Sequence, residues 1–307
     1  MSDVAVLLAT YNGEKYIAEQ LDSLLNQSFK DFICYIHDDG SKDHTVQICE
    51  EYEARYPDKF KVLKYEPAGG AKNNFLSLMV RVDAKIYLFC DQDDVWLPCR
   101  LEKMMDAVQG AEGDYLAFSD LKIVDDKLNI LSESFYSANR IKPEDINYKN
   151  ALVKGFIPGC TMMVNRNLIE KALKYQNADN IKMHDWWLVL TALMTEARMI
   201  YVNESLGLYR QHSANTIGAK DLSTIDRVLF NVKRVLSGTL RAEKKKNLET
   251  PRLQAKELWN CGIGTAERLS FVREFAEIGA RNKFSRIAFY LTNFHHVYRL
   301  WWMVIWA

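Results

Sequence analysis

The chain has 307 residues, 48% of them hydrophobic, enough for one large domain with an appendage and a substantial core. Its 40 basic and 40 acidic side chains cancel, yet residues 220–307 hold 16 Lys/Arg against 8 Asp/Glu and residues 1–219 hold 24 against 32, so two functions joined near residue 220 are expected. Six cysteines without a Cys-x-x-Cys pair leave zinc and redox motifs unsupported and fit a reduced, cytosolic compartment, and no uncharged apolar stretch is long enough for a membrane span.

Val4 to Leu8 predicts a first buried strand, closed by the turn cluster Ala9-Thr10-Tyr11-Asn12-Gly13. Tyr16, Ile17, Gln20, Leu21, Leu24 and Leu25 recur at helical spacing. Phe32 to Ile36 is a second strand running into His37-Asp38-Asp39-Gly40-Ser41, and Thr45 to Tyr52 forms a second amphipathic helix. Lys61 to Tyr65 is a third strand, and the loop Ala68 to Asn74 leads into a helix carrying Phe75, Leu78, Met79 and Val82. The run Ile86-Tyr87-Leu88-Phe89-Cys90 then stops at Asp91-Gln92-Asp93-Asp94. A helix over 101–108 and strands over 115–118 and 122–124 follow. Residues 132–150 read as a polar loop over the site. Next come a strand over 159–164, a helix through Ala172, an apolar helix headed by Met183-His184-Asp185-Trp186-Trp187, and a late strand at Met199–Val202. Residues 221–237, 251–277 and 281–306 read as helices.

Strands alternating with helices indicate right-handed βαβ units and an α/β fold with a mostly parallel sheet. Two strands that end in acids point to one rim, where open α/β sheets bind ligands. Asp91 and Asp93 are hard oxygen donors able to share a cation; the alternative is a solvated acidic turn whose carboxylates cap a helix start. Without Gly-x-Gly-x-x-Gly after the first strand, and without a Walker lysine, dinucleotide and P-loop sites are disfavoured.

Ala9-Thr10-Tyr11-Asn12-Gly13-Glu14, Asp38-Asp39-Gly40-Ser41-Lys42-Asp43 and Asp91-Gln92-Asp93-Asp94 resemble the signature of family 2 glycosyltransferases with the GT-A fold. Met183-His184-Asp185-Trp186-Trp187 and Tyr209-Arg210-Gln211-His212 resemble its bacterial rhamnosyltransferase branch. The resemblance implies a catalytic, nucleotide-sugar-binding domain over 1–219 and a helical extension over 220–307. It implies Mg²⁺ or Mn²⁺ held by Asp93 and Asp91, with His212 completing the shell. Asp39 would accept the N3–H of thymine or uracil, with Thr10, Tyr11 and Glu14 near the base and Lys72 at the diphosphate. Asp185 would be the general base of an inverting transfer; its alternative is to cap the helix that follows. What His184 does is open, and Trp186 and Trp187 would either stack on acceptor sugars or fill the core.

The resemblance further implies a dTDP-L-rhamnose donor and a lipid-linked glycan acceptor in cell-surface polysaccharide synthesis. A UDP-hexose donor, or a non-catalytic glycan-binding role, are the alternatives. Basic residues beside the aromatics of 281–307 suit a membrane interface on the inner face of the cell membrane, or else a contact with the catalytic domain or a homodimer partner. Nucleic acid is not expected, because the basic residues carry no recognition motif.

Overall fold

The computed structural model describes residues 3–211 and 239–294. Strands β1 (Val4–Thr10), β2 (Ile33–Asp38), β3 (Phe60–Val62) and β4 (Ile86–Asp91) are parallel neighbours in the order β3-β2-β1-β4. Helices α1 (Ile17–Leu25), α2 (Thr45–Arg55) and α3 (Ala71–Arg81) make the crossovers. Both faces of these strands are covered, which is why their sequences are unbroken apolar runs. Along β1, Val4, Val6 and Leu8 pack in a cluster with Leu21 and Leu101, whereas Ala5 and Leu7 pack in a second with Phe75 and Trp187. Each large apolar side chain buried in this way contributes about 1.5–3 kcal/mol.

Beyond β4 the chain adds β5 (Val95–Trp96), α4 (Arg100–Ala107), β6 (Tyr115–Val124), β7 (Ile130–Ser132), α5 (Phe135–Asn139), α6 (Tyr148–Val153), β8 (Met162–Asn165), α7 (Arg166–Ala172), α8 (His184–Met194) and β9 (Arg198–Arg210). The sheet continues β4-β8-β6-β9-β5; β8 runs antiparallel to both neighbours and β9 parallel to β6.

Four expectations need correction. Ser119-Asp120 does not divide two strands: β6 is continuous with a register shift there. The Asp120 carboxylate accepts N–H groups from Leu121 (2.8 Å) and Phe135 (2.9 Å), tying α5 to the sheet. Residues 132–150 are not a loop but contain α5 and the start of α6, each capped by a side chain, Ser134 and Asn147. The polar stretch after Val202 stays extended within β9, because it pairs with β6 on one side and β5 on the other. The helix expected over 251–277 is two: α9 (Thr239–Asn260) and α10 (Ala266–Glu277) are divided at Gly262 and Gly264, both at positive φ, and Thr265 caps the second.

Apolar residues between Leu248 and Phe294 join the larger apolar cluster. Leu258 of α9, Phe275 of α10 and Phe289, Tyr290 and Phe294 of α11 (Lys283–Phe294) pack in it with residues of α3, α6 and α8. Glu257 accepts the N–H groups of Gln176 (2.5 Å) and Asn177 (2.9 Å), fixing α9 to the segment before α8. The expected helix 221–237 and residues 295–307 lie outside the described residues.

Candidate active site

Register brings the acids to one rim. Thr10 is paired with Asp38 across β1 and β2, and Ala9 with Asp91 across β1 and β4. The acidic ends of β2 and β4 therefore flank the end of β1, two strand spacings or about 10 Å apart. Gln92 closes the gap: its Oε1 accepts from Tyr11 N–H (2.8 Å) and its Nε2 donates to the Tyr11 carbonyl (2.9 Å). A Cβ at Gly13 would run into this carboxamide, so glycine there makes room for it.

The second strand's two acids have different tasks. Asp38 builds the turn, accepting from Thr10 Oγ1 (2.9 Å) and from the Gly40 (2.9 Å) and Ser41 (2.7 Å) N–H groups. Thr10 is buried and spent on that bond, while Tyr11 is exposed on the rim. Asp39 reaches the loop before α3 and accepts the N–H groups of Ala68 (2.5 Å), Gly69 (2.9 Å) and Gly70. Glu14 accepts from His44 N–H (2.9 Å) and Nδ1 (2.8 Å), so it anchors the start of α2. Lys72 Nζ donates to the Ala178 carbonyl (2.7 Å). His212 lies outside the described residues.

The fourth strand carries the charged centre. Asp91 is pushed up to about 7, first by burial and then by the charges of Asp93 and Asp185. Asp185 is therefore an electrostatic neighbour of the strand end although 94 positions away in sequence. Asp94 is buried, its pKa also raised by burial and by Asp91 and Asp93, and its Oδ2 receives no N–H or O–H. Ligand atoms of Asp91, Asp94 and Cys160 lie within 4.8 Å of one another. The thiol, pushed up by burial, is a poor partner for a hard cation; the crowded carboxylates are a good one.

Asp185 is not the cap of α8; Met183 occupies that position. Its Oδ1 accepts from Trp186 N–H (2.6 Å) and its Oδ2 from Gly159 N–H (3.2 Å). Burial raises its pKa to about 6, and these two N–H groups hold it from rising further. Gly159 permits the approach: a Cβ there would sit 2.9 Å from His184 Nε2 and 3.2 Å from Asp185 Cβ. His184 is 3% exposed, stacked on Phe75 with ring centroids 4.0 Å apart, and burial pushes it down to about 3. Its ring packs in the core against Phe75 and Phe89. Trp187 is buried with its Nε1 on the Ala172 carbonyl (2.8 Å); Trp186 donates to the Ala151 carbonyl and lies against Gly155. Trp187 fills the core, and Trp186 is half-buried against it.

Sequence reasoning missed Gln92, Arg100 and the packing role of Cys160. Arg100 is fully buried, its guanidinium 4.0 Å over the Trp96 ring and donating to the Cys160 carbonyl, where it offsets the charge of Asp91 and Asp94. Its position at a helix start, after Pro98-Cys99, reads as solvated. Gln92 could have been found from its place inside the acidic motif.

The family description "Glycosyl transferase family 2" matches residues 5–173. The chain belongs to glycosyl transferase family 2. This family 2 glycosyltransferase is 31% identical over 225 residues to the dTDP-rhamnosyl transferase RfbG of Shigella flexneri, covering 69% of this chain and 74% of the relative. It is 24% identical over 215 residues to the O-antigen biosynthesis glycosyltransferase WbnJ of Escherichia coli, covering 69% and 81%. S. aureus TarS 1-349 in complex with UDP-GlcNAc matches at TM-score 0.61 and 19% identity, over 99% of this chain and 78% of that one. The mannosyltransferase PcManGT from Pyrobaculum calidifontis, in complex with GDP-Man and Mn²⁺, matches at TM-score 0.55 and 14% identity, over 95% and 75%. These neighbours establish the GT-A fold, and the family 2 enzyme falls in the rhamnosyltransferase-like branch.

Proposed function

We propose that this glycosyltransferase is an inverting, metal-dependent hexosyltransferase that moves L-rhamnose from dTDP-L-rhamnose to a lipid-linked glycan acceptor in polysaccharide synthesis. The observation that carries the chemistry is the Asp185 carboxylate, poised at about 6 beside the acidic end of β4. A base near neutrality deprotonates the acceptor hydroxyl in a single displacement, turning a β-linked donor into an α-linked product. Similarity to a dTDP-rhamnosyl transferase supports the choice of donor.

Asp93 and Asp91, with His212, would hold Mg²⁺ or Mn²⁺; when bound, the ion neutralises charge on the leaving diphosphate. Asp39 keeps acceptor capacity on Oδ2 for a base N3–H while its loop bonds fix its orientation. Tyr11 borders the base from the rim, and Lys72 reaches the diphosphate only by releasing Ala178. Glu14 and Thr10 support the pocket through His44 and Asp38. A panel of dTDP-L-rhamnose and UDP-hexoses tests the donor: release of dTDP from the rhamnose donor is expected, and turnover of a UDP-hexose alone would replace this reading.

Residues 1–219 would be the catalytic part and 220–307 an extension that places it on the inner face of the cell membrane. Among the described residues no helix is long and apolar enough to cross a membrane. α11 offers a surface instead: Phe284, 85% exposed, lies with exposed Ala288 and Leu291 at helical spacing, beside exposed Arg281 and Lys283. Phe284→Glu with Leu291→Glu, which spares the packed Phe289, Tyr290 and Phe294, is expected to abolish cosedimentation with phosphatidylglycerol vesicles. Unchanged sedimentation overturns the membrane role, and a dimer-to-monomer shift in light scattering would assign the face to self-association.

A further inference from the structure

Arg210 ends β9 and is 1% exposed. Its donors are divided among separate parts of the chain. Nε donates to the Asp93 carbonyl (2.9 Å), Nη1 to the Asp126 carbonyl (2.6 Å) and Nη2 to the Glu19 carboxylate (2.5 Å). Its own backbone N–H donates to Asp94 Oδ1 (3.2 Å), and the guanidinium stands 4.5 Å from the centre of the Tyr16 ring. Tyr16 in turn donates its hydroxyl to Asp126 Oδ1 (3.0 Å).

One buried cation thus fixes the turn that carries Asp93 and Asp94 to the turn after β6 and to α1. A planar guanidinium has five N–H donors in a fixed fork, so it can hold several acceptors at set angles; an ammonium cannot. We propose that Arg210 is a positioning residue for the cation site: it fixes the backbone of Asp93, and so the direction of the Asp93 carboxylate, without contacting donor or acceptor. This rests on the reading above, in which Asp93 holds the ion.

The ion pair with Glu19 is the rival explanation, in which Arg210 contributes folding stability alone. Glu19 is 55% exposed, so Glu19→Gln removes the charge pair and leaves the bonds to Asp93 and Asp126. The experiment is calorimetric titration of dTDP, and of UDP, into wild type, Arg210→Met, Arg210→Lys and Glu19→Gln, each with Mn²⁺ and with EDTA. Expected is at least a tenfold loss of Mn²⁺-dependent affinity in Arg210→Met, a smaller loss in Arg210→Lys, and wild-type behaviour in Glu19→Gln, with binding in EDTA alike in all four. If Arg210→Met does not fold, Arg210→Lys decides, and Mn²⁺-dependent affinity equal to wild type overturns the role. Equal losses in Arg210→Met and Glu19→Gln overturn it as well. Wild-type binding that ignores Mn²⁺ defeats the metal reading itself and this proposal with it.

Discussion

Asp185→Asn is expected to lower kcat by about 10²–10⁴-fold while leaving donor binding unchanged. The substitution keeps the shape of the side chain and removes only its capacity to take a proton. It relieves a charge whose pKa burial has raised to about 6, but it also turns an amide N–H toward one of two backbone donors, Trp186 or Gly159. The second effect costs on the order of 1–3 kcal/mol and the relief offsets part of it, so the variant should fold. The pH profile carries the same prediction. A base works when deprotonated, and this one is raised, so wild-type kcat should climb as pH rises through about 6 and level off above. That limb should vanish from the residual activity of Asp185→Asn. A variant whose kcat stays near wild type would remove Asp185 from the chemistry.

Asp93→Ala should fail at a different step. The backbone carbonyl held by Arg210 remains, so the turn keeps its place while the carboxylate is lost. Metal-dependent donor affinity should fall by at least the roughly 10–100-fold that follows loss of an outer-shell partner in a metal site. Asp93 is also one of the charges that raise Asp91 and Asp94, so its removal relaxes the acidic centre and the fold is not expected to suffer. Calorimetry separates the two variants: Asp185→Asn should bind donor with Mn²⁺ as wild type does, and Asp93→Ala should not. Equal affinities would abolish this division of labour.

The rim was legible in the sequence because parallel strands covered on both faces read as continuous apolar runs, and the end of such a run is where acids reach solvent. Ile86 to Cys90 followed by Asp91, and Ile33 to Ile36 followed by Asp38, therefore marked the acidic rim before any register was known. The partners that set its electrostatics were not legible. Arg100 lies 60 positions from Cys160, and Arg210 lies 117 from Asp93; nothing local marks either arginine as buried. The same holds for the loop N–H groups that Asp39 collects, 29–31 residues downstream. Residues 132–150 misled because their polar composition reflects short, mostly exposed helices rather than a loop. The aromatics of α11 divide in a way that composition does not show: Phe289, Tyr290 and Phe294 serve the core, whereas Phe284 is exposed.

Anomeric analysis by NMR of the product formed from dTDP-L-rhamnose and a lipid-linked acceptor is the most direct measurement. The proposed single displacement, with Asp185 as base and a cation at Asp91 and Asp93 to bind the diphosphate, predicts an α-rhamnoside. A β-rhamnoside, or the absence of nucleoside diphosphate release with every donor offered, would contradict it.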